Sequence, residues 1–242
     1  MKSDVSSKTP LIGILCWEEG SVPRGLVQLE KLPGNSTNPE TFEFPVKYCR
    51  IKGANIHTIF ENPSQNVLQT MIGEARKMTE LGIRAITTSC GFNAVFQREL
   101  ADSTNVPVFT SSLMQIPFVQ NMLSRQQSVG VITAKKSALT KKHLESVGIE
   151  NQFSIYIEGL DACAEWDKIF SSPNDNINIT TVENHVINLA CSMMKRADIG
   201  AFILECTDLP PFANSIRKVT GRPVFDFVTL TNYVYQAISK SV

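Results

Sequence analysis

The chain has 242 residues, 43% of them hydrophobic, and its 23 basic residues balance its 23 acidic ones. That length supports one or two compact domains with a real core. The charge balance leaves no basic footprint for nucleic acid or an anionic membrane, and no apolar stretch reaches the ~18 residues of a membrane span.

In chain order, polar residues 1–10 read as a frayed tail rather than a signal peptide. Residues 11–15 are a continuous apolar run, the pattern of a buried parallel strand. Residues 20–53 are rich in Pro, Gly, Asn and Thr, with short ordered pieces at 29–32 and 42–49. A connection this long reads as a lid or rim over a site. Residues 55–60 read as a strand. Ser64 then caps a helix to residue 81, with Val67, Leu68, Met71, Ile72, Ala75 and Met78 at helical spacing and Gly82 closing it.

Strands follow at 83–88 and 106–109, with helices at 91–103 and 114–124. Residues 128–132 repeat the pattern of the first strand. A helix at 136–147, a strand at 153–157, an irregular polar stretch at 161–178 and an amphipathic helix at 181–197 come next. The chain closes with a strand at 199–204, a short helix at 209–220, a strand at 223–225 and a helix at 228–239.

Alternating strands and helices with short connections predict an α/β fold. Its halves are alike. Each opens on an apolar strand bearing a glycine (Gly13, Gly130), passes through a strand that ends at a cysteine turn, and closes on a short strand after Val106-Pro107 or Arg222-Pro223. The expectation is two pseudo-symmetric lobes, each a short, mostly parallel sheet flanked by helices, with the site in the cleft between them. The lobes are expected at 1–112, completed by 225–242, and at 113–224.

The six cysteines contain no CxxC pair. That scatter argues against structural zinc, and in a chain with this hydrophobic content it fits a reducing cytoplasm. Cys90 and Cys206 each follow a buried-type strand and precede a helix. There the helix dipole favours thiolate and free amides can hold an anion. In parallel sheets ligands sit at the strand C-termini, so facing lobes would put both cysteines across one cleft. Two opposed thiols suit proton removal from one face of a carbon acid and delivery to the other, with no cofactor and no metal.

Cys206, Thr207, Asp208, Leu209 and Pro210 resemble the second cysteine turn of the aspartate/glutamate/hydantoin racemase superfamily, and Thr88, Ser89 and Cys90 resemble the first. The strands holding Gly13 and Gly130 and the two Pro-Val strands fall where the family has them. The resemblance covers nearly the whole chain outside the tail and residues 20–53. It implies a cofactor-independent racemase or epimerase, an isomerase, with Cys90 and Cys206 as the acid/base pair, and the homodimer usual for the family.

Where amino-acid racemases carry Asn-Thr after the first cysteine, this chain has Gly91 and Phe92, with Asn93 beyond; at the first strand end Cys16 and Trp17 stand where the glutamate racemases have an acidic helper, which is missing here unless Glu18 supplies it. Simple aspartate or glutamate therefore fits less well than a larger or less polar carboxylate or hydantoin-like acid. Ser89, Gly91, Phe92, Asn93, Thr133, Thr207, Asp208, Cys16 and Trp17 are the candidate substrate contacts. Asp208 either tunes Cys206 or caps a helix, and Cys16 is either a cleft thiol or packing. The alternatives are a malonate decarboxylase, a maleate-type isomerase, and a non-catalytic small-anion binder. A thiol hydrolase ranks below these, since no histidine is placed beside either cysteine.

Overall fold

The computed structural model describes residues 9–239; the expected tail falls almost wholly outside them. Strands β1 (Ile12–Cys16), β2 (Val46–Arg50), β3 (Ala85–Thr88) and β4 (Val108–Phe109) form one sheet in the order β2-β1-β3-β4. Strands β5 (Ser128–Thr133), β6 (Ile155–Gly159), β7 (Ile199–Leu204) and β8 (Val224–Phe225) form a second in the order β6-β5-β7-β8. Every recorded strand pair is parallel. The two orders are the same pattern, which is the internal repeat realised in three dimensions.

All five residues of β1, all four of β3 and all six of β7 are buried. These strands read as apolar runs because helices cover both faces of each sheet. The helices are α1 (Arg24–Leu29), α2 (Gln65–Glu80), α3 (Gln97–Asp102), α4 (Ile116–Met122), α5 (Lys141–Ser146), α6 (Ala164–Ser171), α7 (Ile179–Arg196), α8 (Ala213–Thr220) and α9 (Phe227–Ser239). Helix α2 buries Val67, Leu68, Met71, Ala75 and Met78, and α7 buries Val182, Val186, Ala190 and Met193. Helix α9 returns to the first sheet, seating Phe227 and Tyr235 in the cluster around Ile12 and Ile14. Among the described residues no helix is long and apolar enough to cross a membrane.

Three local expectations are corrected. Residues 55–60 are not a strand but open a π-helix, Ile56–Glu61. The Asn55 side chain accepts from the amides of His57 and Thr58 while Thr58 Oγ1 accepts from the Asn55 amide, a reciprocal cap that starts a helical turn. The strand beside β1 is supplied instead by Val46–Arg50. Within the polar stretch 161–178 lies α6, anchored by buried Trp166 and Ile169. The helix expected at 136–147 is split into a 3-10 turn and α5, because Thr140 starts a new helix with His143.

The first cysteine turn also opens differently from expectation. Residues Gly91–Phe96 form a 3-10 helix before α3 begins, and all six are buried. The segment between β1 and β2 crosses the cleft as a strap. Arg24 N–H donates to Pro173 O at 2.7 Å, and Ser36 N–H donates to Thr207 O at 3.3 Å. Gln28 exchanges two hydrogen bonds with the backbone of Ile177, at 2.7 and 3.4 Å. The strap ties the end of β1 to α6 and to the second cysteine turn.

Candidate functional site

Cys90 follows β3 by two residues and Cys206 follows β7 by two. Equivalent strands of the two sheets therefore deliver the two thiols, and both line one cavity of about 620 Å³, open mouth included. Trp17, Ser89, Gly91, Phe92, Thr207 and Asp208 also line it. Three candidates do not. Cys16 turns its thiol back to Ile14 O at 3.5 Å, Asn93 is buried under the first turn, and Thr133 donates to Glu205 Oε2 at 2.8 Å.

The second turn is held by its neighbours. Thr207 Oγ1 donates to Ser89 O, so this hydroxyl links the two cysteine turns rather than standing free for a ligand. Asp208 does not cap the following helix. Its Oδ1 accepts from Asn35 Nδ2 at 2.8 Å and its Oδ2 faces the Cys206 thiol at 3.8 Å. Asn35, on the strap, thus aims a carboxylate at a cysteine.

Electrostatics decide the resting state. Burial pushes the Cys90 thiol well above the ordinary range, Glu205 and Asp208 push the same way, and the Phe92 N–H and Trp17 indole oppose them. Burial, then Asp208 and Glu205, raise Cys206 likewise. Both cysteines are thiols in the free site. The thiolate preference expected from helix termini is therefore not met. The two turns open short 3-10 helices of six and three residues, whose dipoles are too small to offset burial beside carboxyl groups. Burial also lifts Asp208 and Glu205 themselves to about 7.

The walls were less visible in the sequence. Phe60, Trp166, Ile169 and Phe170 line the cavity with Trp17 and Phe92. Phe60 packs against Phe92 with ring centroids 4.4 Å apart and against Phe170 at 5.0 Å. The indole N–H of Trp166 is buried and unpartnered, whereas that of Trp17 is turned to the Cys90 thiol. At the rim, Glu30 and Arg50 approach to 3.8 Å. Glu30 lies in the stretch read as a rim, whereas Phe60 and Trp166 lay in segments misread as strand and irregular coil. Periodicity carried no signal for them.

No family model matches the chain. It is 26% identical over 226 residues to a dimethylsulfoniopropionate lyase of Durusdinium sp. clade D, covering 86% of this chain and 72% of that protein. It is 29% identical over 222 residues to dimethylsulfoniopropionate lyase 7 of Emiliania huxleyi, covering 85% of this chain but only 62% of that one. These names are lyase names, and they overturn the expectation of an isomerase. Among solved structures, an aspartate racemase homologue from Pyrococcus horikoshii superposes with a TM-score of 0.63 at 16% identity, covering 96% of this chain and all (100%) of that one. Allantoin racemase from Pseudomonas fluorescens gives 0.62 at 14% identity, covering 94% and 90%. From the two sheets of matching order and these superpositions together, the chain has the fold of the aspartate/glutamate/hydantoin racemase superfamily.

Proposed function

We propose that the chain is a lyase that eliminates a neutral sulfide from a 3-sulfoniocarboxylate of the dimethylsulfoniopropionate type. The observation that carries this reading is the cavity's charge and texture. Among the described residues its lining holds two carboxyl side chains, Glu30 and Asp208, and one cation, Arg50, which already faces Glu30. Such a lining disfavours a dicarboxylate and suits a substrate bearing an onium cation. Aromatic faces attract such cations, and Phe60, Trp166 and Phe170 supply them.

The elimination needs one base. Cys206, with Asp208 as its proton acceptor, takes the proton from C2. The C2–H electrons become the C2–C3 double bond, and the C3–S bond breaks with its pair leaving on sulfur. Dimethyl sulfide and acrylate form, and the proton passes through Asp208 to solvent. The negative charge developing on the substrate carboxylate is met by the unpartnered Trp166 indole N–H and by the Cys90 thiol. A bound sulfonium also lowers the cost of a thiolate, so substrate helps to create its own base.

The names of the curated relatives support this reading independently of the cavity. Its test is selectivity. The purified chain should release acrylate from dimethylsulfoniopropionate and none from 3-(methylthio)propionate, the neutral sulfide of nearly the same shape. Proton exchange at C2 of a dicarboxylate, without acrylate from the sulfonium acid, would sink it.

A further inference from the structure

Glu205, between β7 and Cys206, has no step in the elimination as drawn. It is fully buried, its Oε2 accepts from Thr133 Oγ1 at 2.8 Å, and its Oε1 has no partner. A Cβ at Gly91 would overlap both Oε1 and the Glu205 carbonyl oxygen, so the carboxyl lies flat against the backbone beside Cys90. The titratable groups its charge reaches are Cys90 from the first turn and Cys206 from its own. The end of β5 offers only Thr133, and the turn at 112–115 offers Ser112, whose hydroxyl donates to Leu204 O and, at 3.4 Å, to Glu205 O. No basic side chain contributes to its ionisation, which burial pushes up to about 7. An unpaired carboxylate in such a place is disfavoured, so below about pH 7 the resident form is the neutral acid.

We propose that Glu205 is a positioning residue for the thiol pair: as a neutral acid pressed against Gly91 it seats the two cysteine turns together and leaves room for one sulfur to ionise. When Glu205 itself ionises, its charge opposes a thiolate at either cysteine and sets an alkaline limit on the site. The consequence for turnover rests on the lyase reading; the effect on the thiols does not.

The test compares the full chain with its Glu205→Gln variant, which keeps the shape and cannot ionise. Iodoacetamide labelling of Cys90 and Cys206 from pH 6 to 9, read by peptide mass spectrometry, needs no turnover. At pH 8.5 the more reactive of the two cysteines should label about three- to tenfold faster in Glu205→Gln than in wild type, with the difference vanishing near pH 6. Coincident labelling profiles in two equally folded proteins would overturn the proposal. With dimethylsulfoniopropionate, the ratio of acrylate release at pH 8.5 to that at pH 6 should rise in Glu205→Gln. Loss of release at every pH in a folded Gln variant would make the carboxyl proton itself a reactant and would also overturn it. If wild type releases no acrylate, the lyase reading fails and the labelling profiles alone decide the role of Glu205.

Discussion

Gly91 and Glu205 contend for one volume across the cleft: any side chain at position 91 would overlap the Glu205 carboxyl and carbonyl oxygens. The glycine that breaks the Asn-Thr pattern of amino-acid racemases is thereby accounted for by a glutamate 114 residues away, at positions 91 and 205. Gly91→Ala should force the turns apart and cost on the order of 1–3 kcal/mol. Urea denaturation would show it as a lower midpoint, and acrylate release should fall with it. An unchanged midpoint would mean the contact is slack.

The two raised carboxyls also make stability depend on pH. Asp208 and Glu205 are lifted by burial to about 7 in the folded chain. Unfolded, they return to the ordinary carboxylate range. Between roughly pH 4 and pH 7 the folded state therefore holds protons that the unfolded state releases, so their contribution is intact at the acid end of that window and falls as pH rises through it. Glu205→Gln should flatten this slope, raising stability at pH 8 relative to wild type by on the order of 2 kcal/mol while leaving pH 4 little changed. Thermal unfolding at several pH values measures it.

The strap sets the state of Asp208. The Asn35 hydrogen bond favours the ionised form of Asp208, against the effect of burial. Asn35→Ala removes that support, so Asp208 should ionise at higher pH and the acid limb of kcat/KM should move upward from near pH 7. A roughly tenfold loss at pH 7 is expected if Asp208 must be ionised to accept the Cys206 proton. An unshifted acid limb would remove Asp208 from that role.

The aromatic wall should act on binding more than on chemistry. Phe60→Ala or Phe170→Ala removes a face available to the sulfonium and should raise KM about tenfold, since a desolvated cation–π contact is worth roughly 1–2 kcal/mol. Competitive inhibition by a tetraalkylammonium carboxylate should weaken in parallel, whereas a neutral isostere should be indifferent. Equal loss for charged and neutral inhibitors would assign the wall to packing alone.

The sequence carried the repeat well. Apolar strands with matching glycines, Gly13 and Gly130, and two strand-end cysteines led to two sheets of the same order. Cys90 and Cys206 could be placed across a cleft because both follow strands buried on both faces, a pattern visible along the chain. Glu205 could not be singled out, since a glutamate beside a cysteine looks like an exposed charge until Gly91 is seen against it. Phe60 and Trp166 were hidden for a different reason. They sit on a π-helix and a two-turn helix whose conformations depend on local caps and tertiary packing rather than on periodicity. The reaction class was misread because opposed thiols are common to several chemistries. It is the lyase names of the curated relatives that overturn the isomerase reading.

In the proposed β-elimination of a sulfonium acid, Cys206 is the base and Cys90 a donor. The most direct measurement of this assignment is acrylate formation followed by proton NMR on dimethylsulfoniopropionate at pH 7.5, with wild type beside folded Cys206→Ser and Cys90→Ser. Wild type should yield acrylate and dimethyl sulfide in equal amounts. Cys206→Ser should fall by at least about a thousandfold through loss of the base, and Cys90→Ser by about 10- to 100-fold through loss of a donor. Acrylate release by Cys206→Ser at the wild-type rate, or none from wild type itself, would contradict it.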